Sequence, residues 1–218
     1  MAPLPPPRAL LLDLDGTLAD TLPALAAAVN HSRARLGWSA MPEPAVKVHV
    51  GDGVHLLLAR CTGLDPRTVE LLVPPWRAWY LEHCTEGTTL LPGARDLLDA
   101  ARGRGIPMAV VTNKPLPHTE RILEGLGVRG EFACVLGGDS LPVRKPDPAV
   151  VREALRLLGG LPAAEAWLVG DGPQDVEAAR AAGCPSVLVP GYGDLRRARE
   201  LGPDLEVPGL AALAARLR

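Results

Sequence analysis

Apolar and polar positions along the chain fall into two regimes. Near the start, in "RALLLDLDGTLAD" (residues 8–20), Leu10 to Leu12 with Leu14 just beyond make a continuous apolar run, closed by Asp13, Asp15, Gly16 and Thr17. A short apolar run bounded by a turn signal is the pattern of a strand buried on both faces of a parallel sheet. Asp13 then stands at the strand's carboxyl end, the edge beyond which open α/β sheets bind ligands. From residue 20 to about 88 the spacing is helical. Asp20 or Thr21 caps a helix in which Leu22, Leu25, Val29 and Leu36 share a face and which Gly37 ends. Val54, Leu57, Leu58 and Cys61 repeat that spacing. "DPRTVELLVPPWRAWYLEHC" (65–84) is helical too, with Pro74 and Pro75 expected to divide or bend it.

From "LLPGARDLLDAARGRG" onward helix and strand patterns alternate, the signature of a parallel sheet. Buried strands are predicted at 107–111 (PMAVV), 132–136 (FACVL), 166–170 (AWLVG) and 185–190 (PSVLVP). Among the helices between them, one carries Val151, Ala154, Leu155 and Leu158 as a stripe, with Asp147 as N-cap and Pro148 at its first position. The expected fold is α/β: a Rossmann-like parallel sheet core with helices on both faces. Residues 1–19 and 89–218 form that core, and a small all-helical cap, residues 20–88, is inserted after the first strand.

Length and composition fit this picture. A chain of 218 residues suffices for one core domain with a smaller insert, and 47% hydrophobic with 22% charged residues is ordinary for a globular protein. The net charge of −2 gives no electrostatic case for nucleic acid or an anionic membrane, which leaves small-molecule chemistry. Cys61, Cys84, Cys134 and Cys184 lack zinc-site spacing and read as reduced and mostly buried. The opening "MAPLPPPR" has no signal-peptide core, and no run approaches the roughly 20 apolar residues of a membrane span. A cytoplasmic protein, monomeric or homodimeric, is expected.

The chemistry appears where the predicted strands end. After 107–111 come Thr112, Asn113 and Lys114; after 166–170 come Asp171 and Asp175; and "RKPDP" brings Lys145 ahead of a helix start. In a parallel sheet Asp13, Asp15, Thr112, Asn113, Asp171 and Asp175 converge on one edge, with Lys145 within reach. Four carboxylates in one crevice ionise together only with a cation among them, and all-oxygen ligands suit Mg2+. Magnesium keeps positions for substrate phosphate, so phosphate chemistry follows, with Thr112, Asn113 and Lys145 as donors to a phosphoryl group. Taken singly, each group has a plainer explanation. Thr112 and Asn113, or Asp171 and Asp175, can cap helices, and Lys145 can be a solvated loop lysine.

"DLDGT", "VVTNK", "RKPDP" and "VGDGPQD", in that order and with a helical insert after the first, resemble the haloacid dehalogenase-like hydrolases, and among them the bacterial phosphoglycolate phosphatases. The resemblance runs from about residue 8 to 193. It implies that Asp13 is a nucleophile forming an aspartyl-phosphate and that Asp15 is the acid and base. It further implies that Mg2+ is held by Asp13, the Asp15 carbonyl and Asp171, with Asp175 orienting them, and that Thr112 and Lys145 bind phosphoryl oxygens. The substrate implied is a small phosphomonoester, 2-phosphoglycolate. Gly172 departs from the serine of many relatives. "HVGDG" (49–53) matches a cap loop in which Gly51, Asp52 and Gly53 approach substrate, although a plain helix-start turn explains it as well. For the substrate carboxylate, Lys47, Arg60, Arg77 and Lys114 are candidates.

Pyrophosphatase, sugar-phosphate phosphatase and phosphomutase activities remain alternatives within the family. Outside it, "VGDGPQD" has the look of a dinucleotide-binding glycine turn, but Asp175 replaces the third glycine and Asp171 would face a pyrophosphate. A regulatory protein without chemistry is a further alternative, and the intact motif residues count against it.

Overall fold

In strand β1 (Ala9–Leu12) successive side chains enter opposite faces of a sheet, Leu10 and Leu12 into one core, Ala9 and Leu11 into another. The computed structural model describes residues 4–218. After β1 the chain forms β2 (Ala19–Asp20), α1 (Leu22–Arg35), α2 (Glu43–Lys47), α3 (Val54–Thr62), α4 (Pro66–His83) and β3 (Thr89–Leu90). It continues through α5 (Ala94–Gly103), β4 (Met108–Val111), α6 (Leu116–Gly125), β5 (Cys134–Leu136), α7 (Ala149–Leu157) and β6 (Ala166–Gly170). It ends with α8 (Pro173–Ala182), β7 (Ser186–Leu188), α9 (Leu195–Glu200), β8 (Leu205–Glu206) and α10 (Leu210–Leu217).

Six strands make one parallel sheet in the order β5-β4-β1-β6-β7-β8. Leu11 pairs with Ala109 on one side and Leu168 on the other. The connections leave β1 toward β4 and β5, then resume on its other flank at β6. The order therefore reverses between β1 and β6, and a crevice opens past their carboxyl ends. Leu97, Leu98, Ile122, Leu123 and Leu213 cover one face, and Val150, Val151, Ala154, Ala178 and Ala179 the other, so helices lie on both sides as expected.

Helices α1 to α4 lie between β2 and β3, which pair antiparallel through Ala19 with Leu90 and Asp20 with Thr89. That two-residue ribbon was not anticipated, nor were α2, α9, β8 and α10; the short ones offer too few residues for a period to show. Of the division or bend expected at Pro74 and Pro75, the division does not occur: α4 is one helix through both. Each proline frees a carbonyl one turn earlier, at Glu70 and Leu71. Pro74, Glu70 and Leu71 are all exposed, so water takes those carbonyls and the helix continues. The expected cap of α1 is divided: Thr21 holds the N-cap position without a side-chain bond, while Asp20 Oδ1 accepts from Leu22 N at 3.2 Å. At α7 the start is one residue later than expected: Pro148, not Asp147, is the N-cap and the helix begins at Ala149, whose amide donates to Asp147 at 2.8 Å.

Leu11 is fully buried at the centre of the sheet. Leu11→Ala is expected to cost about 2–5 kcal/mol in urea unfolding, the range for a buried leucine truncated to a methyl. A loss under about 1 kcal/mol would contradict its central place in the core.

Candidate active site

Asp13 follows β1 directly, and its amide continues the sheet pairing by donating to Val169 O at 3.0 Å. Its Oδ1 accepts from Leu14 N at 2.7 Å and lies 3.0 Å from Lys145 Nζ. The same ammonium donates to Asp175 Oδ1 at 2.6 Å. Asp175 Oδ2 accepts from Gly172 N at 3.1 Å, which caps α8. Capping and a place in the site coexist in one side chain.

Asp171 follows β6, the strand beside β1. Its Oδ1 accepts from Thr17 Oγ1 at 3.1 Å, and its Oδ2 from the amides of Tyr192 at 2.5 Å and Gly193 at 2.9 Å. Asp13, Asp171 and Asp175 are buried with one oxygen of each within 4.8 Å of the others, a group able to hold a metal ion. Only oxygen is offered, the donor set of a hard cation such as magnesium.

Local pattern does not mark Thr17 as a partner of Asp171, and Tyr192 is a further residue of the site that was not among the candidates. Tyr192 OH accepts from Thr21 N at 2.8 Å and Leu22 N at 3.1 Å and donates to Asp20 Oδ1, joining the loop that holds Asp171 to the start of α1. The glycines of "GYG" after β7 were the available signal. A Cβ on Gly191 would lie 2.2 Å from Gly16 O. At Gly16, with φ +79°, a Cβ would lie 2.5 Å from Asp171 Oδ2, so only glycine turns here. At Gly172, in place of the serine, the space a side chain would take is filled by the amide end of Gln174.

Asp15 is not part of the triad. Lys114 Nζ lies 2.9 Å and 3.0 Å from its two oxygens, and Thr21 Oγ1 donates to Oδ1 at 2.5 Å. Asn113 donates from Nδ2 to Gly51 O and to Lys145 O, each at 3.0 Å. Its amide hydrogens are thereby spent on tying the 49–53 loop to the Lys145 loop, not on a phosphoryl group. Lys47 Nζ sits 5.4 Å from the Tyr192 ring, a second link between the helices of 22–83 and the sheet edge.

Asp13, Asp15, Thr112, Asn113 and Lys114 form the polar side of a cavity of about 40 Å³, room for a few water-sized groups. Leu25, Val50, Val54, Leu57 and Trp76 form the apolar side, with Gly51 and Gly53 at the rim. Asp52 does not line it; it pairs with Arg60 at 2.6 Å in solvent. Gly53 is also the N-cap of α3, so the helix-start reading of that loop and its place at the cavity both hold.

Burial pushes Asp13 up to about 6, with Lys145 opposing and Asp175 and Asp15 adding to it. Burial likewise pushes Asp171 up to about 7, helped by Asp13 and Asp175. Lys145 is raised above the usual lysine value, its two carboxylates outweighing burial.

A model of the haloacid dehalogenase-like hydrolases matches residues 7–183. The chain belongs to this family. Among curated members, the phosphoglycolate phosphatase of Chromobacterium violaceum is 39% identical over 213 residues, 94% of each chain. That of Rhodospirillum rubrum is 42% identical over 196 residues, 86% of this chain and 80% of the relative. A crystal structure of a predicted phosphoglycolate phosphatase from Haemophilus somnus superposes with a TM-score of 0.89 at 29% identity, covering 97% of this chain and 98% of that one. CbbY from Rhodobacter sphaeroides, crystallised with phosphate, superposes at 0.80 with 28% identity, covering 95% and 96%. The sheet, the helical insert and the acidic edge are thus those of a haloacid dehalogenase-like hydrolase. No helix among the described residues is long and apolar enough to cross a membrane.

The raised carboxyls set a pH dependence. Where Asp13 and Asp171 hold protons more tightly folded than unfolded, they stabilise the fold below about pH 4, and that contribution is lost as pH rises through about 6 to 7. A divalent cation offsets the loss at high pH and must displace protons at low pH. Magnesium is therefore expected to raise the melting temperature more at pH 8 than at pH 5 in thermal denaturation. Equal shifts at both values would show that these carboxyls are not where the ion binds.

Proposed function

We propose that this chain is a magnesium-dependent phosphatase that hydrolyses 2-phosphoglycolate to glycolate and phosphate through a phosphorylated Asp13. The observation that carries the reading is the buried ammonium of Lys145 held between Asp13 and Asp175, with Asp171 completing an oxygen-only cluster whose member Asp13 also lines a small cavity. The names of the curated relatives supply the substrate.

In this reading Asp13, the backbone carbonyl of Asp15 and Asp171 hold Mg2+, and Asp175 fixes Lys145 and the turn that carries Asp171. The bound ion would neutralise the carboxylates and the charge on the transferring phosphoryl group. Lys145 keeps Asp13 ionised and aligned. One Asp13 oxygen attacks phosphorus, the bond to the leaving oxygen breaks, and Asp15 delivers a proton to that oxygen. Asp15 then takes a proton from a water whose oxygen attacks phosphorus, and the bond to Asp13 breaks. Thr112 offers its hydroxyl to a phosphoryl oxygen.

Residues 20–88 act as a cap that moves on the β2/β3 ribbon, and closure excludes water from the reaction. Of the four cations considered for the substrate carboxylate, Lys114 alone lines the cavity. Gly53 and Val54 line it too, at the amino end of α3, where free N–H groups favour an anion. The same reading has the protein at work in the cytoplasm, as monomer or homodimer, on a small phosphate ester.

Phosphate release from phosphoglycolate, pyrophosphate, sugar phosphates and phosphoserine, with and without magnesium, tests it. The expected outcome is a magnesium-dependent preference for phosphoglycolate of about 100-fold in kcat/KM, or about 2.7 kcal/mol, abolished by Asp13→Asn. Flat, weak release across the panel would remove the substrate assignment, and activity surviving Asp13→Asn would remove the nucleophile.

A further inference from the structure

The pairing of Lys114 with Asp15 carries a consequence beyond phosphate binding, and it rests on the reading of Asp15 as acid and base. Lys114 is fixed from the core, its carbonyl accepting from Gly138 N at 2.8 Å. Its ammonium, with 2% of the side chain exposed, reaches both oxygens of Asp15. The ring of Tyr80, fully buried on α4, closes over the ammonium 4.7 Å away. A cation against an aromatic face in a dry setting is held by the ring's charge distribution as well as by its ion pair.

Each carboxylate oxygen accepts about two hydrogen bonds. Oδ1 of Asp15 receives one from Thr21 Oγ1 and one from Lys114, which fills it. Oδ2 receives Lys114 alone and keeps one position open. We infer that Lys114 is the positioning residue of Asp15: it clamps the carboxylate so that Oδ2 is the oxygen that gives the proton to the leaving group and takes it from water. Two of the ammonium hydrogens serve Asp15 and the ring of Tyr80 covers it from α4.

Two substrates with alkoxide leaving groups, phosphoglycolate and ethyl phosphate, and one that needs no proton, p-nitrophenyl phosphate, separate the possibilities. In Lys114→Met, kcat/KM, which reports the steps up to formation of the aspartyl-phosphate and so leaves out the water step common to all three, is expected to fall about 100-fold on both alkyl esters, at the low end of what a positioned acid supplies, and less than about fivefold on p-nitrophenyl phosphate. Lys114→Gln, which keeps one donor, should recover part of the loss on the alkyl esters. A loss confined to phosphoglycolate would make Lys114 the reader of the substrate carboxylate and overturn the inference. An equal loss on all three would assign it to phosphate binding or to folding, and overturn it as well. If the wild-type protein does not prefer phosphoglycolate to ethyl phosphate, the substrate assignment fails, while the comparison of ethyl with p-nitrophenyl phosphate still decides the role of Lys114.

Discussion

Three carboxyl groups, those of Asp13, Asp171 and Asp175, are shut away from water within a few ångströms of one another, with one ammonium, Lys145, between two of them. Burying charge at this density is costly unless each group is paired or neutralised. Much of the surrounding chain answers that cost. Amides of Leu14, Gly172, Tyr192 and Gly193 and the hydroxyl of Thr17 point at the carboxylate oxygens, and each comes from a loop at the same sheet edge. The parallel sheet can deliver so many loops to one place because its strand order reverses between β1 and β6.

The same loops reach into the helical insert. Tyr192 donates its backbone amide to Asp171 and receives the first amides of α1 on its hydroxyl. Asn113 divides one amide group between the 49–53 loop and the carbonyl of Lys145. The insert is therefore not a separate body resting on the sheet. In this arrangement its position is registered, bond by bond, in the residues that hold the acidic cluster, and a movement of the insert would break those bonds.

What could be read from the sequence follows from local pattern. β1 and β6 are unbroken apolar runs ended by aspartate, so both their existence and their polar ends were visible. α3 and α7 were visible through their apolar spacing. Asp15 was visible as a carboxylate, but its partner Lys114 lies 99 positions away in the chain, and only folding brings the two together. The bond from Thr17 to Asp171 and the place of Tyr192 were hidden for the same reason. β8 escaped because two residues carry no period. At the prolines of α4 the local rule left division and bend open, and it counts a lost hydrogen bond without asking whether the site is exposed, so it could not say that the helix stays in one piece.

The sheet narrows at both rims, with three residues in β5 and two in β8. A long exposed rim would offer a row of free amides and carbonyls to any passing chain. At β8 the rim side chain Glu206 is engaged by the guanidinium of Arg199, which sets charge where a neighbouring strand would have to dock. The taper gives the molecule self-limiting growth: each rim offers an incoming chain a strand too short to template a long pairing, and at β8 a charged one as well.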